Sequence, residues 1–343
     1  MPASFKIPSY MRAIVLHVFD QIESLVVEER PVPRPQAGQV LIRMHAAPIN
    51  PSDLAFLRGL YKVDKVPPIV PGFEGSGTIV ASGGGMLGRV LLGKRVACAA
   101  PNDGDGTWAE YMVTPAQNCL PLRRALTLEQ GAMLIVNPLT AWSLMEVAKR
   151  EGHRAIVQTA AASALGKMIV RLGKQRGVRT INLVRREEQA ATLRALDADY
   201  VLNSADADFE ARLFEVCRRE SVRLAFDAVA GELAAQVLTA MPEGGRLVFY
   251  GALSQHPSMI DPRAFIFEDK RIEGFWLGRT MRRLSLPQRM NMVRHVQQAL
   301  AQELQTEIQA RAPLEEAAKA LRQYAQNMSA GKVLLVLESV AAK

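Results

Sequence analysis

The chain has 343 residues, more than one hydrophobic core usually serves, so two domains are expected. It is 49% hydrophobic and 22% charged, as in an ordinary soluble globular protein, and its three cysteines (Cys98, Cys119, Cys217) are too sparse and too widely spaced for a disulfide framework or a structural zinc lobe. The net charge is +8, but Lys and Arg are scattered, with no nucleic-acid motif, so no nucleic-acid partner is expected and the basic balance suits phosphate-bearing small molecules.

The opening residues lack the layout of a secretory signal or transit peptide. No apolar run approaches the roughly 20 residues of a membrane span. A cytoplasmic location without membrane association is expected. The first third reads as short strands between Pro and Gly punctuation: Arg12–His17, Leu25–Glu29, Val40–Ala46, Gly75–Ala81 and Lys94–Ala99. Pro31, Pro33, Pro35, Pro67, Pro68 and Pro71 rule out long helices there.

From about Thr127 the pattern changes. Leu128–Met145 is helical in part. Strands Ala155–Thr159, Arg179–Val184, Tyr200–Leu202, Val222–Asp227 and Arg246–Tyr250 then alternate with helices Ser163–Arg176, Glu187–Leu196, Ala207–Arg219 and Glu232–Met241. Such alternation predicts a doubly wound parallel sheet of Rossmann type. A further apolar strand, Arg271–Leu277, would complete its six strands. It is followed by helices at Pro287–Glu303 and Glu315–Asn327 and a strand at Lys332–Glu338 that returns to the β-rich domain. The predicted domains are 1–128 with 300–343, and 129–299.

Helix Ser163–Arg176 places Leu165, Met168, Ile169 and Leu172 on one apolar face. The turn before it should present backbone N–H groups and the positive helix end to a pyrophosphate. It lacks G-x-G-x-x-G, although Gly166 permits tight helix–strand packing. The next strand ends in Arg185-Arg186, where an NAD site usually carries an acidic residue for the ribose 2′-hydroxyl. Two arginines there suit a 2′-phosphate instead, and NADPH is the expected cofactor.

Several segments together carry a family likeness: Ala46–Leu54 (AAPINPSDL), Gly72–Gly77 (GFEGSG), Gly106–Tyr111 (GTWAEY), Val136–Trp142 (VNPLTAW), Arg179–Arg186, Phe249–Leu253 (FYGAL) and Gly274–Leu277 (GFWL). Over nearly its whole length the chain resembles the medium-chain dehydrogenase/reductase superfamily. Within it, the chain is similar to the zinc-independent branch of quinone oxidoreductases and trans-2-enoyl-thioester reductases. The resemblance implies an α/β fold in which a β-rich, GroES-like catalytic domain accompanies the Rossmann domain. It implies an NADPH-dependent oxidoreductase, most like a trans-2-enoyl-CoA/ACP reductase that delivers hydride to an activated C=C bond. A quinone oxidoreductase and a catalytically inactive NADPH-binding regulatory protein are the alternatives.

No metal is expected. Phe73 stands where zinc-bearing relatives have a histidine ligand, and Asn50 or Pro51 where they have a cysteine, leaving too few of the ligands a catalytic zinc needs. By resemblance, Ala162, Ser163, Ala164 and Leu165 line the pyrophosphate, with Ala164 replacing the relatives' usual glycine. Arg185 and Arg186 take the 2′-phosphate, and Asn137 lies on the nicotinamide side. Tyr250, Gly251, Ala252, Leu253, Phe275, Trp276, Leu277 and Lys332 complete the cofactor contacts.

Tyr61 matches the tyrosine proposed as proton donor in enoyl-thioester reductases. A phenol stays protonated near neutral pH and can donate to an enolate-like carbon. Asn50 and Trp108 are expected beside the substrate, although a core role for Trp108 is an open alternative. Asp53 reads as a helix-start cap. Arg279, Arg282, Arg283 and Arg289 form either a solvated helix face or a basic rim for the phosphates of a CoA or acyl-carrier thioester. The strand Arg271–Leu277, apolar on both faces, suggests sheet pairing across a two-fold axis and hence a homodimer.

Overall fold

The computed structural model describes residues 6–337. Its first strands and helices are β1 (Tyr10–Leu16), β2 (Leu25–Pro31), β3 (Gln39–Pro48), α1 (Pro51–Leu57), β4 (Glu74–Ser82), α2 (Met86–Leu91), β5 (Arg95–Ala99), β6 (Tyr111–Pro115), β7 (Cys119–Pro121) and α3 (Leu128–Ala132). There follow α4 (Val136–Arg150), β8 (Ala155–Gln158), α5 (Ala164–Arg176), β9 (Arg179–Val184), α6 (Glu187–Ala195), β10 (Tyr200–Asn203), α7 (Phe209–Arg219), β11 (Leu224–Asp227), α8 (Gly231–Ala240) and β12 (Arg246–Phe249). The remainder is α9 (Arg263–Ile266), β13 (Arg271–Gly274), α10 (Leu277–Arg283), α11 (Leu286–Gln302), β14 (Ile308–Pro313), α12 (Ala317–Gln326) and β15 (Lys332–Val336). The chain divides into two compact units, Met1–Val136 with Gln297–Lys343, and Asn137–Val296.

The first unit is built on a seven-stranded sheet in the order β14-β15-β3-β4-β5-β7, with β6 also paired to β3. β1 and β2 form a separate antiparallel pair. Only β14 and β15 run parallel to each other; β15 is antiparallel to β3. Apolar residues from β1, β3 and α1, among them Ile14, Leu41, Ile42, Met44, Phe56 and Leu57, are completely or almost completely buried in its core. The chain between α1 and β4 runs without helix through Pro67, Pro68 and Pro71, as proline's missing N–H and fixed φ require.

The second unit has six parallel strands in the order β10-β9-β8-β11-β12-β13. This is the doubly wound arrangement read from the alternation of apolar strands and amphipathic helices. Val157, Ile181, Leu183, Ala225 and Leu247 from its strands join Leu213, Val216 and Val237 from α7 and α8 in one buried cluster. Because the strands are parallel, all their carboxyl ends lie along one edge of the sheet, where such folds bind ligands.

Two local expectations need correction. β13 stops at Gly274 instead of reaching Leu277: Phe275 N still donates to Phe249 O at 2.7 Å, after which Trp276 caps α10. Nor is β13 apolar on both faces. Arg271, Glu273 and Gly274 are exposed and Ile272 is half-buried, because an edge strand has a neighbour on one side only. β14, with its charged and proline-ended pattern, was not anticipated.

Candidate functional site

Along the carboxyl edge of the parallel sheet, β8 runs into a turn of small residues. Thr159 N bonds to Phe226 O at 3.1 Å and Ala161 N to Leu183 O at 3.2 Å, tying the turn to the neighbouring strands. Ala160 takes a left-handed φ of 48° to reverse the chain. Ser163 is the N-cap of α5, its hydroxyl accepting from Gly166 N at 3.1 Å. A Cβ on Gly166 would stand 2.3 Å from Ala161 O, so helix and turn approach too closely for a side chain there. The N–H groups of Ala164 and Leu165 lie in the first helical turn, where backbone donors have no intrahelical partner and the helix end is positive. The residues present fit a dinucleotide pyrophosphate.

At the end of β9, Arg185 and Arg186 are both exposed. Arg186 is the N-cap residue of α6, and its Nε lies 4.0 Å from Glu188 Oε2. Glu187 and Glu188 supply the negative charge that a helix start favours. Both arginines thus follow the carboxyl end of β9, with their side chains exposed. Farther along the edge, Tyr250–Leu253 follow β12 and Phe275–Leu277 follow β13. A Cβ on Gly251 would lie 2.9 Å from Ala228 O.

Asp227, at the end of β11, is a feature the sequence reading missed. It is completely buried and takes hydrogen bonds from the Thr159 hydroxyl, Val229 N (3.1 Å) and Ala230 N (2.7 Å). Burial pushes its carboxyl up, against the pull of those donors. Thr159 Oγ1 also accepts from Ala228 N at 2.9 Å, so one hydroxyl ties β8 to the chain after β11. The buried Tyr250 phenol is driven above its usual range by desolvation and by Asp227; among the described residues its oxygen finds no hydrogen-bond partner. The signal available was an acidic residue ending an otherwise apolar strand.

In the other unit, β3 leads into Asn50, which is 0% exposed, and then α1. Asp53 is confirmed as a cap, its carboxylate accepting from Asn50 N at 2.7 Å and from Phe73 N at 3.2 Å. Asn50 Nδ2 donates to Glu74 Oε1 at 3.0 Å, while Glu74 Oε2 accepts from Ile135 N and Val136 N, both at 2.9 Å. The Lys332 ammonium, at the start of β15, donates to Asn50 Oδ1 and to Ile49 O (3.3 Å). Two buried carboxylates and one buried ammonium therefore share Asn50. Desolvation raises the Asp53 carboxyl to about 7 and lowers Lys332 to about 8; it also raises Glu74, with Lys332 opposing.

Among the described residues no three His, Cys, Asp or Glu side chains come together as a metal site. Phe73, the residue at the family's histidine position, instead lies against Tyr61, with ring centroids 4.8 Å apart. The Lys65 ammonium is 5.9 Å from the same Phe73 ring. It is buried, has no hydrogen-bond partner among the described residues and is pulled down to about 8 by desolvation. No sequence signal singled out Lys65. Trp108 is 0% exposed and belongs to the core of this unit. Asn50, Tyr61, Trp108 and Lys332 all lie in this first unit; Asn137, the turn, the arginine pair and the segments after β12 and β13 belong to the second.

Comparison with known proteins gives this arrangement its class. Residues 36–124 match the alcohol dehydrogenase GroES-like domain, and residues 164–294 match the zinc-binding dehydrogenase family. A Mesorhizobium loti protein provisionally named an NADPH:quinone reductase is 39% identical, covers 97% of this chain and 100% of its own, and superposes with a TM-score of 0.90. The mitochondrial enoyl-[acyl-carrier-protein] reductase of Bos taurus is 31% identical over 79% of this chain and 74% of its own length. That of Arabidopsis thaliana is 34% identical over 70% of this chain, which spans 64% of that relative's length. The chain belongs to the medium-chain dehydrogenase/reductase superfamily, in the branch of the quinone oxidoreductases and enoyl reductases.

Proposed function

We propose that the protein is an NADPH-dependent reductase of activated C=C bonds, most like a trans-2-enoyl-CoA or enoyl-acyl-carrier reductase. The observation that carries the cofactor choice is the exposed Arg185–Arg186 pair ending β9, where an acidic residue would favour NADH. These guanidinium groups hold the 2′-phosphate, while Ala164 and Leu165 offer first-turn N–H groups to the pyrophosphate and Ala162 leaves it room. NADPH, when bound, supplies the hydride.

Tyr61 supplies the proton. Its phenol, packed on Phe73, donates to the carbon next to the substrate carbonyl as charge develops there. In the same unit, Asn50 is held between Lys332 and Glu74. The substrate carbonyl spreads the charge that develops on hydride delivery to its C=C bond, leaving one proton to be supplied.

The NADPH:quinone reductase name of the 39%-identical relative favours a second reading, quinone reduction. NADPH consumption measured in parallel with crotonyl-CoA, a small enone and a quinone decides between them. Turnover of the quinone alone would overturn the enoyl reading; NADPH binding with no turnover would replace both with a regulatory role. The exposed edge strand β13, beside exposed Phe265, Ile266 and Phe267, fits pairing with a second copy. A homodimer in the cytoplasm is therefore part of the proposal, checked by light scattering and cell fractionation.

A further inference from the structure

β5 and β7 run antiparallel, with Val96 opposite Pro121, Ala97 opposite Leu120 and Cys98 opposite Cys119. A bond from Leu122 N to Arg95 O, 2.9 Å, fixes the phase of this ladder. Hydrogen-bonded and non-hydrogen-bonded pairs alternate along antiparallel strands, so Arg95–Leu122 and Ala97–Leu120 are of the first kind. Val96–Pro121 and Cys98–Cys119 are of the second. Pro121 agrees independently, since it has no N–H to give and stands where none is needed.

This phase matters because non-hydrogen-bonded pairs bring Cα atoms to about 4.5 Å, with both side chains on one face. That separation lies inside the range of about 4.4–6.8 Å that a disulfide spans. Cys98 is 0% exposed and Cys119 5%. Cys98 Sγ also donates to Gly75 O at 3.4 Å and lies 3.9 Å from Met44 Sδ. Cys217 is buried in the other unit.

We propose that Cys98 and Cys119 are a covalent modification site, a cross-strand dithiol that closes to a disulfide under a two-electron thiol oxidant such as a diazene or a peroxide. One Sγ–Sγ bond forms and two S–H bonds break. Two electrons and two protons pass to the oxidant, reducing a diazene to a hydrazine or hydrogen peroxide to two waters. Burial pushes both thiols up, Cys119 to about 12, so thiolate forms only when the strand opens. β7 is suited to that, being three residues long and at the sheet edge. The bond would staple the two ends of the loop that carries Thr107 and Trp108.

The test treats the full-length protein with diamide, then alkylates under denaturing conditions and maps peptides by mass spectrometry. The expected result is loss of two hydrogens from the intact mass, a linked Cys98–Cys119 peptide and alkylation of Cys217 alone. A Tm several degrees higher and reversal of every change by dithiothreitol are also expected. Cys119→Ser and Cys98→Ala should each abolish the mass loss and the Tm gain. Should either variant fail to fold, the wild-type peptide map decides by itself. Three free thiols after treatment, a link involving Cys217, a bond between two chains, a sulfinic acid at Cys98, or a linked species of lower Tm would each overturn the proposal.

Discussion

Tyr61 and Phe73 share a face, and removing one oxygen from the first separates chemistry from packing. Tyr61→Phe retains the ring that packs on Phe73, centroids 4.8 Å apart, and removes the hydroxyl proposed as proton donor. Turnover of an enoyl thioester should fall by about 10²-fold or more, the usual worth of a positioned acid, with NADPH binding and quinone reduction little changed. Equal losses on thioester and quinone would exclude the proton-donor role. The Arg185→Glu, Arg186→Glu double variant should raise KM for NADPH by about 10-fold or more and leave KM for NADH nearly constant.

The buried charges predict a pH signature. Asp53 is raised from 3.8 to about 7, so between those values the folded state binds more protons than the unfolded one, and stability falls as pH rises through that window. Lys65 and Lys332 are lowered from 10.5 to about 8, so from 8 to 10.5 the unfolded state binds more protons and stability rises with pH. Tm measured across both windows checks the two signs. Lys332→Met leaves Glu74 and Asp53 buried without their ammonium and should cost about 3–5 kcal/mol in urea unfolding.

At the scale of elements, the junction of β8 and α5 has no room for a side chain. Gly166→Val would drive a side chain into Ala161 O, which a Cβ already meets at 2.3 Å. The helix start must withdraw from the turn, and both Tm and NADPH affinity should drop, measurable by thermal melts and fluorescence titration. A variant with normal affinity would show that the turn does not carry the pyrophosphate. Elements of this kind were readable from sequence because their apolar spacing is local: β8 to β12 and α5 to α8 all lie where strand and helix periods alternate. β14 was invisible because its ARAP pattern gains partners only from β15. Likewise the Lys332–Asn50 bond joins residues 282 positions apart, and no short window contains both. Asp227 and Lys65 acquire their character from burial, which sequence expresses only through tertiary packing.

For the whole molecule, the net charge of +8 should act on charged substrates at a distance. Arg279, Arg282 and Arg283 are exposed on α10, and Arg282 lies 4.9 Å over the Trp276 ring. Raising ionic strength from 20 to 300 mM, roughly a fourfold shortening of the Debye length, should lower kcat/KM for a CoA thioester several-fold and barely alter it for a neutral enone. Charge reversal at Arg282 and Arg283 should reproduce that selectivity in KM; identical effects on the two substrates would leave these arginines as a solvated face.

The place of β15 in its sheet has a bearing on biosynthesis. It pairs with β3 at Ala46–Pro48 and bears the lysine that neutralises Asp53 and Glu74. While the ribosome is still making the later residues, the first unit has an open strand edge and two carboxylates without their cation. The stretch 137–296, by contrast, is contiguous and can fold as soon as it emerges. The nucleotide-binding unit should therefore mature before the unit that precedes it in the chain, with the nascent first unit held for chaperones until β15 is released.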